Sequence, residues 1–262
     1  MQHLCDNLIS DTPCVRNLLI TIRYDGSAYH GWQVQNNAIT VQEVFQKAVA
    51  AILGSCPDIK GCSRTDSGVH ANMFCISMKI SHPIPCERLV AALNSHLPMS
   101  VCVLSVREVS LDFHARYSAL GKRYIYKVHN AQVRDPFLFG RALHYRRPLD
   151  VDKLNEASKA YIGTHDFTSF CTLDKREAGD FRRTVTDFRV WREGDMVYFS
   201  VSADGFLYNM VRIMVGTLFH IAEGRADYDA IPDIINAQNR DAAGPTAPAC
   251  GLYLDEVFYD FN

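Results

Sequence analysis

Long hydrophobic runs and low-complexity tracts are both absent from this sequence of 262 residues. No apolar stretch reaches the length of about 20 residues that a membrane-spanning helix needs. The first 17 residues also lack a basic start followed by an apolar stretch and a small-residue cleavage site, so we interpret them as a short lead-in to the first strand. These absences predict a cytoplasmic protein without a membrane partner.

Paired cysteines are also lacking, because no two of the nine cysteines form a C-x-x-C pair. They stand at positions 5, 14, 56, 62, 75, 86, 102, 171 and 250. The odd number and the scattered positions argue against a disulfide framework and predict buried free thiols. Cys62, Cys75 and His70 lie close together in the sequence, but their spacing matches no four-ligand zinc pattern, so we predict no metal site.

A strong net charge of one sign is the third absence, since the formal net charge is −2. The sum therefore does not indicate a nucleic-acid partner, but the charges are unevenly distributed. Basic side chains are concentrated in the middle of the chain, at positions 116, 122, 123, 127, 134, 141, 146, 147, 175, 176, 182 and 183. Acidic side chains are frequent further on, at positions 227, 229, 233, 241, 255, 256 and 260. Any RNA surface is expected to be a local patch diluted by acidic residues, and a solvated surface of mixed charge remains the alternative.

Strand and helix signals fall into two similar halves, each with the order β-α-β-β-α-β. Hydrophobic residues make up 48% of the chain and charged residues 21%, which is typical of an ordered globular protein with one large or two modest domains. The repeated order predicts an α+β fold of two tandem ferredoxin-like units with mainly antiparallel sheets and a cleft between them. We expect an N-terminal unit of residues 1–110 and a C-terminal unit of residues 111–262.

Local signals place individual elements within each half. Thr40 and Glu43 form a capping box before the helical pattern VQEVFQKAVAAIL, and Pro85 is well placed to start the helix CERLVAALNSHL. DIKGCSRT and NMFCISMKI are typical of two adjacent strands. In the second half we predict an amphipathic helix that ends at Gly163 and a hairpin that turns at Gly194. The apolar segment LYNMVRIMVGTLFHIAEG predicts a long buried helix.

The segment GCSRTDSGVHA joins two of these predicted strands and carries a single carboxylate, Asp66. Gly68 can adopt a positive φ at low steric cost, so Asp66 can lie at an exposed, sharply shaped turn. An Asp-x-Gly segment is most often only a turn, and that structural interpretation stays open when the segment is considered alone.

Arg212 is the charged residue within the long apolar helix. An arginine in a buried helix needs an anionic partner or a route to the protein surface, because its guanidinium stays charged. One interpretation is that the side chain reaches the surface from the flank of the helix. The other pairs Arg212 with Asp66 across the cleft, where the nearby cation would keep the carboxylate ionised.

Tyr124 lies in the strand pattern GKRYIYKVHN, where alternation places it on the same face as Tyr126 and opposite Arg123 and Ile125. An aromatic residue on one face of a sheet is usually part of the core. Beside basic residues it can instead be a platform on which an extruded base stacks.

Five segments spread over nearly the whole chain carry the most specific pattern in the sequence. They are YDGSAYHGWQVQ with the following TVQEVF, GCSRTDSGVHA, FHARYSALGKRYIY, DGFLYNMVRIMVGTL and APACGLYL. In content and order they resemble the motifs of the tRNA pseudouridine synthases of the TruA family. Ser63 and Ser67 stand where that family has glycine and alanine. The R-T-D core is unchanged, so we expect at most small changes in loop geometry.

The resemblance implies roles for five residues. Asp66 matches the family's essential aspartate, and Arg212 matches the arginine that pairs with it. Tyr124 matches the tyrosine that stacks on the target uracil, and Leu252 the leucine that lines the pocket. Arg64 matches the arginine beside the aspartate, which helps to displace and hold nucleotides.

The activity implied by the resemblance is isomerisation of uridine to pseudouridine at positions 38, 39 and 40 of the tRNA anticodon stem-loop. The family works without a metal or organic cofactor, as a homodimer whose RNA spans both subunits. Two other functions stay open. A non-catalytic RNA-binding or RNA-folding module could keep the site only as a shape. A hydrolase with an aspartate nucleophile could use the same turn, although the sequence lacks the Gly-rich phosphate cradle or metal-ligand cluster that such chemistry usually needs.

Overall fold

The computed structural model describes residues 15–172 and 179–261, which form two units of similar architecture. The predicted lead-in up to residue 14, and Lys175 and Arg176 of the basic cluster, lie outside the described residues. The first unit consists of β1 (Arg16–Tyr24), α1 (Val41–Leu53), β2 (Ile59–Gly61), β3 (His70–Ile80), α2 (Cys86–His96) and β4 (Val101–Val109).

The second unit repeats this order with three short additional elements. It consists of β5 (Ala119–His129), β6 (Leu143–His144), α3 (Val151–Ser158), β7 (Gly163–Asp166), β8 (Arg182–Glu193), β9 (Met196–Ala203), α4 (Met210–Ala222), α5 (Ile231–Asn236) and β10 (Leu252–Tyr259). The additions are β6, β7 and α5. None of the helices in the described part of the chain has the length and hydrophobicity needed to cross a membrane.

The strands form one continuous sheet in the order β4-β1-β3-β10-β5-β9-β8-β7, with β2 pairing to β3 and β6 to β5. The first unit has the order β4-β1-β3-β2 and the second has the order β10-β5-β9-β8. All neighbours within these two orders are antiparallel. The two orders are equivalent when each unit is numbered from its own first strand, so the predicted α+β fold of two tandem ferredoxin-like units is confirmed. The domain division at residue 110 stays a prediction, since the sheet runs through both units.

One short strand pairing joins the sheets of the two units. β10 pairs with β3 in parallel, with Tyr253 opposite His70. The buried His70 ring reinforces this join, because the backbone N–H of Gly26 donates to its Nδ1 at 3.0 Å and its Nε2 then donates to the carbonyl oxygen of Cys250 at 3.2 Å. The ring also stacks on Tyr253, with centroids 4.5 Å apart. The join therefore lies only a few residues after Asp66.

Several local signals are confirmed. The hydroxyl of Thr40 accepts a hydrogen bond from the backbone N–H of Glu43 at 3.3 Å and caps α1. Pro85 occupies the N-cap position of α2. β8 and β9 form the expected hairpin, and Gly194 adopts a φ of +58° in its turn.

Two predicted elements are shorter than expected. The strand predicted over residues 58–65 covers only Ile59–Gly61. β2 pairs with β3 no further than Ile76, because β10 occupies the same edge of β3 at His70. The helix predicted to end at Gly163 is α-helical over Val151–Ser158 and continues as a 3₁₀ turn, which commonly ends an α-helix.

Helix α4 is buried on nearly every face, as its apolar sequence predicted. Phe219 packs against Tyr126 of β5 and Phe199 of β9, with ring centroids 6.3 and 5.6 Å apart. On another side of the helix the loop before β10 approaches very closely. A Cβ atom on Gly216 would lie 1.7 Å from the carbonyl oxygen of Pro245. Glycine at this position therefore permits the loop to pack directly on α4.

We expect Gly216→Ala to lower the free energy of unfolding by about 1–3 kcal/mol, because the added methyl group overpacks a backbone contact. Replacement of glycine by alanine inside a helix usually raises the free energy of unfolding, so the expected change has the opposite sign. The matched control is Gly179→Ala, since no atom of the described residues lies within 4 Å of a Cβ built there. Urea unfolding of both variants checks the prediction. A Gly216→Ala protein as stable as the control would contradict the close approach.

Candidate active site

The five site residues predicted from the sequence line one cleft of about 360 Å³. Asp66 and Arg64 come from the first unit, whereas Tyr124, Arg212 and Leu252 come from the second. Leu252 is 5% exposed at the start of β10, and Arg64 is exposed to solvent. The structure therefore brings all five together where the two units meet.

The turn that carries Asp66 is held by the loop between β1 and α1. Gly68 adopts a φ of +77°, as expected, and its N–H donates to the carbonyl oxygen of Tyr29 at 3.1 Å. Gly31 fits closely against the same turn, since a Cβ there would lie 2.3 Å from the carbonyl oxygen of Thr65. The segment YDGSAYHGWQ thus acts as the support on which the Asp66 turn is built.

Arg212 faces Asp66 across the cleft, as one of the two sequence interpretations predicted. Its Nη1 lies 3.2 Å from Oδ2 of Asp66, and the two side chains are 17% and 26% exposed. Two further acceptors fix the guanidinium: Nε donates to the carbonyl oxygen of Ala247 at 2.7 Å and Nη1 donates to Oδ1 of Asn209 at 2.8 Å. The guanidinium is therefore oriented by groups of the second unit, whereas the first unit positions the carboxylate.

Two opposing effects act on the pKa of Asp66. Burial raises the pKa of this carboxyl above its ordinary value, and the guanidinium of Arg212 opposes the rise without cancelling it. The cation thus favours the charged form, as the sequence argument predicted for a dry cleft. A carboxylate that is poorly solvated and held by one cation is typical of a reactive group rather than of a surface ion pair.

Tyr124 lies in the wall of the cleft and is only 6% exposed. Its ring meets Phe206 edge to face, with centroids 5.0 Å apart, and its hydroxyl lies 3.2 Å from Oγ of Ser63. Ser63 therefore supplies a hydrogen-bonding hydroxyl at the position where the resembled family has glycine. Burial raises the pKa of the Tyr124 phenol well above its ordinary value, which keeps it protonated. Its role as a stacking platform stays a prediction.

Asn209 was missed by the sequence analysis. It precedes α4 with φ of +60° and ψ of +6°, a left-handed conformation that asparagine tolerates better than most residues. Its side chain accepts from Arg212 and donates to the hydroxyl of Thr172 at 3.0 Å. The usable signal in the sequence was an asparagine three residues before the helix arginine, a spacing that brings the two side chains together.

Lys122 and Arg116 also line the cleft and were not predicted as site residues. Alternation along β5 places Lys122 on the same face as Tyr124, which could have identified it. Within residues 15–172 and 179–261, no group of three or more His, Cys, Asp or Glu side chains is placed to hold a metal ion. Cys62 and Cys75 are buried beside each other, with the N–H of Cys75 donating to Sγ of Cys62 at 3.3 Å.

Comparison with known proteins identifies relatives over nearly the full length of the chain. The sequence pattern of the family described as tRNA pseudouridine synthase matches residues 20–118 and 157–260. The tRNA pseudouridine synthase A of Acetivibrio thermocellus is 44% identical over 245 residues, covering 94% of this chain and 100% of that protein. The protein of the same name from Moorella thermoacetica is 45% identical over 249 residues, with the same two coverages.

Solved structures give a much weaker likeness. A chain of the structure described as "Crystal Structure of a Cbf5-Nop10-Gar1 Complex" matches with a TM-score of 0.33 and 11% identity, over 86% of this chain and 69% of that one. A likeness at this level adds nothing to the argument. The matched family and the identity to full-length relatives decide the matter: the chain belongs to the tRNA pseudouridine synthase family, as its resemblance to the TruA motifs predicted.

Proposed function

We propose that this protein isomerises uridine to pseudouridine at positions 38, 39 and 40 of the tRNA anticodon stem-loop, in the cytoplasm, with Asp66 as the nucleophile. Its membership of the family supports an isomerase that acts on tRNA. The single observation that carries the catalytic assignment is the carboxylate of Asp66, largely buried in a cleft and paired with Arg212 at 3.2 Å.

The chemistry requires the N1–C1′ bond of uridine to break and a C5–C1′ bond to form in its place. In one route the carboxylate of Asp66 attacks C1′ and the uracil leaves with the N1–C1′ electron pair. In the other route Asp66 removes the proton on C2′, the uracil leaves with the N1–C1′ electron pair to give a glycal, and the proton returns to C2′ when C5 bonds to C1′. Both routes end with the base joined through C5 and with loss of the C5 proton, which Tyr124 or a water molecule accepts. Burial raises the pKa of the Tyr124 phenol, which disfavours its phenolate as the acceptor.

Access to this cleft requires the target nucleotide to leave the RNA stack. A cleft of about 360 Å³ is at the small end of ligand sites, so it accepts a single nucleotide and excludes a paired one. Extrusion costs a few kcal/mol, and stacking on an aromatic side chain returns about 1–3 kcal/mol per base. Tyr124 and Phe206 offer such rings, and Leu252 keeps the detached base in an apolar surrounding. Contacts with phosphates must supply the remainder.

The proposal includes a homodimer whose two clefts share one RNA-binding surface. Arg64 and Arg116 are exposed beside the cleft and would contact the backbone of the RNA. Phe137 and Phe139, in the connection after β5, are 84% and 89% exposed and provide apolar surface for a second copy of the chain.

The first test of the catalytic role is Asp66→Ala. With C5-tritiated uridine in an anticodon stem-loop, we expect tritium release to fall to the level without enzyme, while RNA binding is retained. Asp187→Ala is the matched control, since Asp187 lies outside the cleft and pairs with Arg189 at the surface. Release that continues in Asp66→Ala would end the assignment. A wild-type protein that binds RNA without releasing tritium would favour the non-catalytic module.

The second test uses the pH dependence of the reaction. Since Arg212 lowers the pKa of Asp66, Arg212→Met should raise that pKa further and move the acidic limb of kcat/KM to higher pH. Arg212→Lys keeps the charge and should leave the limb close to its wild-type position. Single-turnover rates across pH check this. An unshifted limb in Arg212→Met would show that the ion pair does not control the reacting group.

The third test concerns the homodimer. Sedimentation should give twice the 29.5 kDa mass of the chain for the wild type and a smaller average mass for a Phe137→Ser, Phe139→Ser variant, since burial of aromatic surface drives association. Met99→Ser is the control, because Met99 is an equally exposed apolar residue of the first unit. A monomeric wild type would contradict the proposed dimer.

A further inference from the structure

The cleft holds more positive charge than its single carboxylate can balance. Arg212 is committed to Asp66, while Lys122, Arg64 and Arg116 line the same cleft. The two arginines are exposed and can be solvated, whereas the Lys122 side chain is partly buried in the strand face below them. Lys122 thus has less access to water than the two exposed arginines of the cleft.

Among the lysines that the structure describes, Lys122 differs from most in having no ion-pair or hydrogen-bond partner in the described residues. Four lysines form ion pairs with nearby carboxylates, and Lys127 lies over the ring of Tyr253 with its Nζ 3.8 Å from the centroid. Among the described residues, no carboxylate and no hydrogen-bond acceptor contacts the ammonium group of Lys122. A shielded ammonium without an anion is costly, so the fold alone does not explain a lysine here.

The surroundings of Lys122 increase this cost. Burial lowers the pKa of its ammonium group, and the guanidinium of Arg116 lowers it further. An ionised Cys62 would oppose this decrease, but burial raises the pKa of its thiol to about 12 and keeps it neutral. The described part of the chain therefore leaves Lys122 without a balancing anion, and an anionic group of the substrate can supply one.

We infer that Lys122 binds a phosphate group that flanks the extruded uridine. Uracil and ribose are neutral, so the phosphodiesters are the permanent anions that a nucleotide brings into the cleft. Lys122 lies two residues before Tyr124 on the same strand face, which places its ammonium beside the ring proposed to hold the base. The inference rests on the proposed function, since it requires a single nucleotide in the cleft. It assigns Lys122 to substrate binding and leaves the proton transfers to other groups.

The test combines two variants with RNA from which one charge has been removed. Stem-loops carry a neutral methylphosphonate in place of the phosphate on either the 5′ or the 3′ side of the target uridine. Dissociation constants and single-turnover rates are measured for the wild type, Lys122→Met and Lys122→Arg. Lys127→Met is the matched control, because Lys127 lies on the same strand with its side chain on the opposite face.

We expect Lys122→Met to weaken binding of unmodified RNA about tenfold, the size of one lost charge-assisted hydrogen bond. One of the two methylphosphonates should weaken wild-type binding by a similar factor and should have no further effect on Lys122→Met. Lys122→Arg should bind unmodified RNA with a dissociation constant within about threefold of the wild-type value. Lys127→Met should bind this RNA with the same affinity as the wild type. The Lys122→Met protein should be at least as stable as the wild type, because an unpaired charge has been removed.

Two results would overturn the inference. The first is a pair of additive effects, in which Lys122→Met remains as sensitive as the wild type to both methylphosphonates. The second is unchanged binding with a slower rate of isomerisation, which would place Lys122 against the base instead. Failure of the proposed function has a different signature, namely absence of tritium release from the wild type, and the binding measurements stay informative in that case.

Discussion

The parallel pairing of β10 with β3, at Tyr253–His70 and Leu254–Ala71, is the contact on which the geometry of the cleft depends. It makes one sheet of two ferredoxin-like units and brings the Asp66 turn, just before β3, against Leu252 at the start of β10. The neutral His70 ring then ties the β1–α1 loop to the loop before β10 through two hydrogen bonds. Because these contacts are buried and short, the relative position of Asp66 and the second unit is fixed by packing rather than by the ion pair.

In the ion pair, the attraction between the two charges opposes the desolvation of Asp66, so the pair is not primarily a source of stability. Burial raises the pKa of Asp66, so the folded protein holds its carboxylate against a desolvation cost that Arg212 reduces only in part. Asn209 and the carbonyl oxygen of Ala247 orient the guanidinium, and Asn209 does so from a left-handed conformation. A desolvated carboxylate and a residue in a left-handed conformation therefore lie at the same site, and such unfavourable features are typical of preorganised reaction centres.

Features that depend on neighbouring residues or on an isolated charge could be predicted from the sequence. The Thr40 cap and the Gly194 turn follow from neighbouring residues. The pairing of Asp66 with Arg212 was one of two interpretations of an arginine in an apolar helix, and the structure decides between them. The β3–β10 join could not be predicted, because parallel pairing between residues more than 180 positions apart in the sequence leaves no local pattern. The contacts of Ser63 and Asn209 depend on that join, and the pKa of Asp66 depends on burial that only the folded cleft defines.

The formal net charge of −2 is compatible with an RNA substrate because of where the acidic residues lie in the structure. Asp255 and Glu256, which the sequence suggested would dilute the basic region, are both paired with Arg123, at 2.7 and 2.6 Å. At physiological ionic strength the field of an exposed charge extends over about 8 Å, so distant acidic groups do not cancel the cations that line the cleft. The local balance of one carboxylate against four cations is therefore what an incoming nucleotide meets. In the proposed complex these cations differ in depth: the exposed Arg64 and Arg116 contact the RNA backbone outside the cleft, and the partly buried Lys122 contacts the single nucleotide inside it.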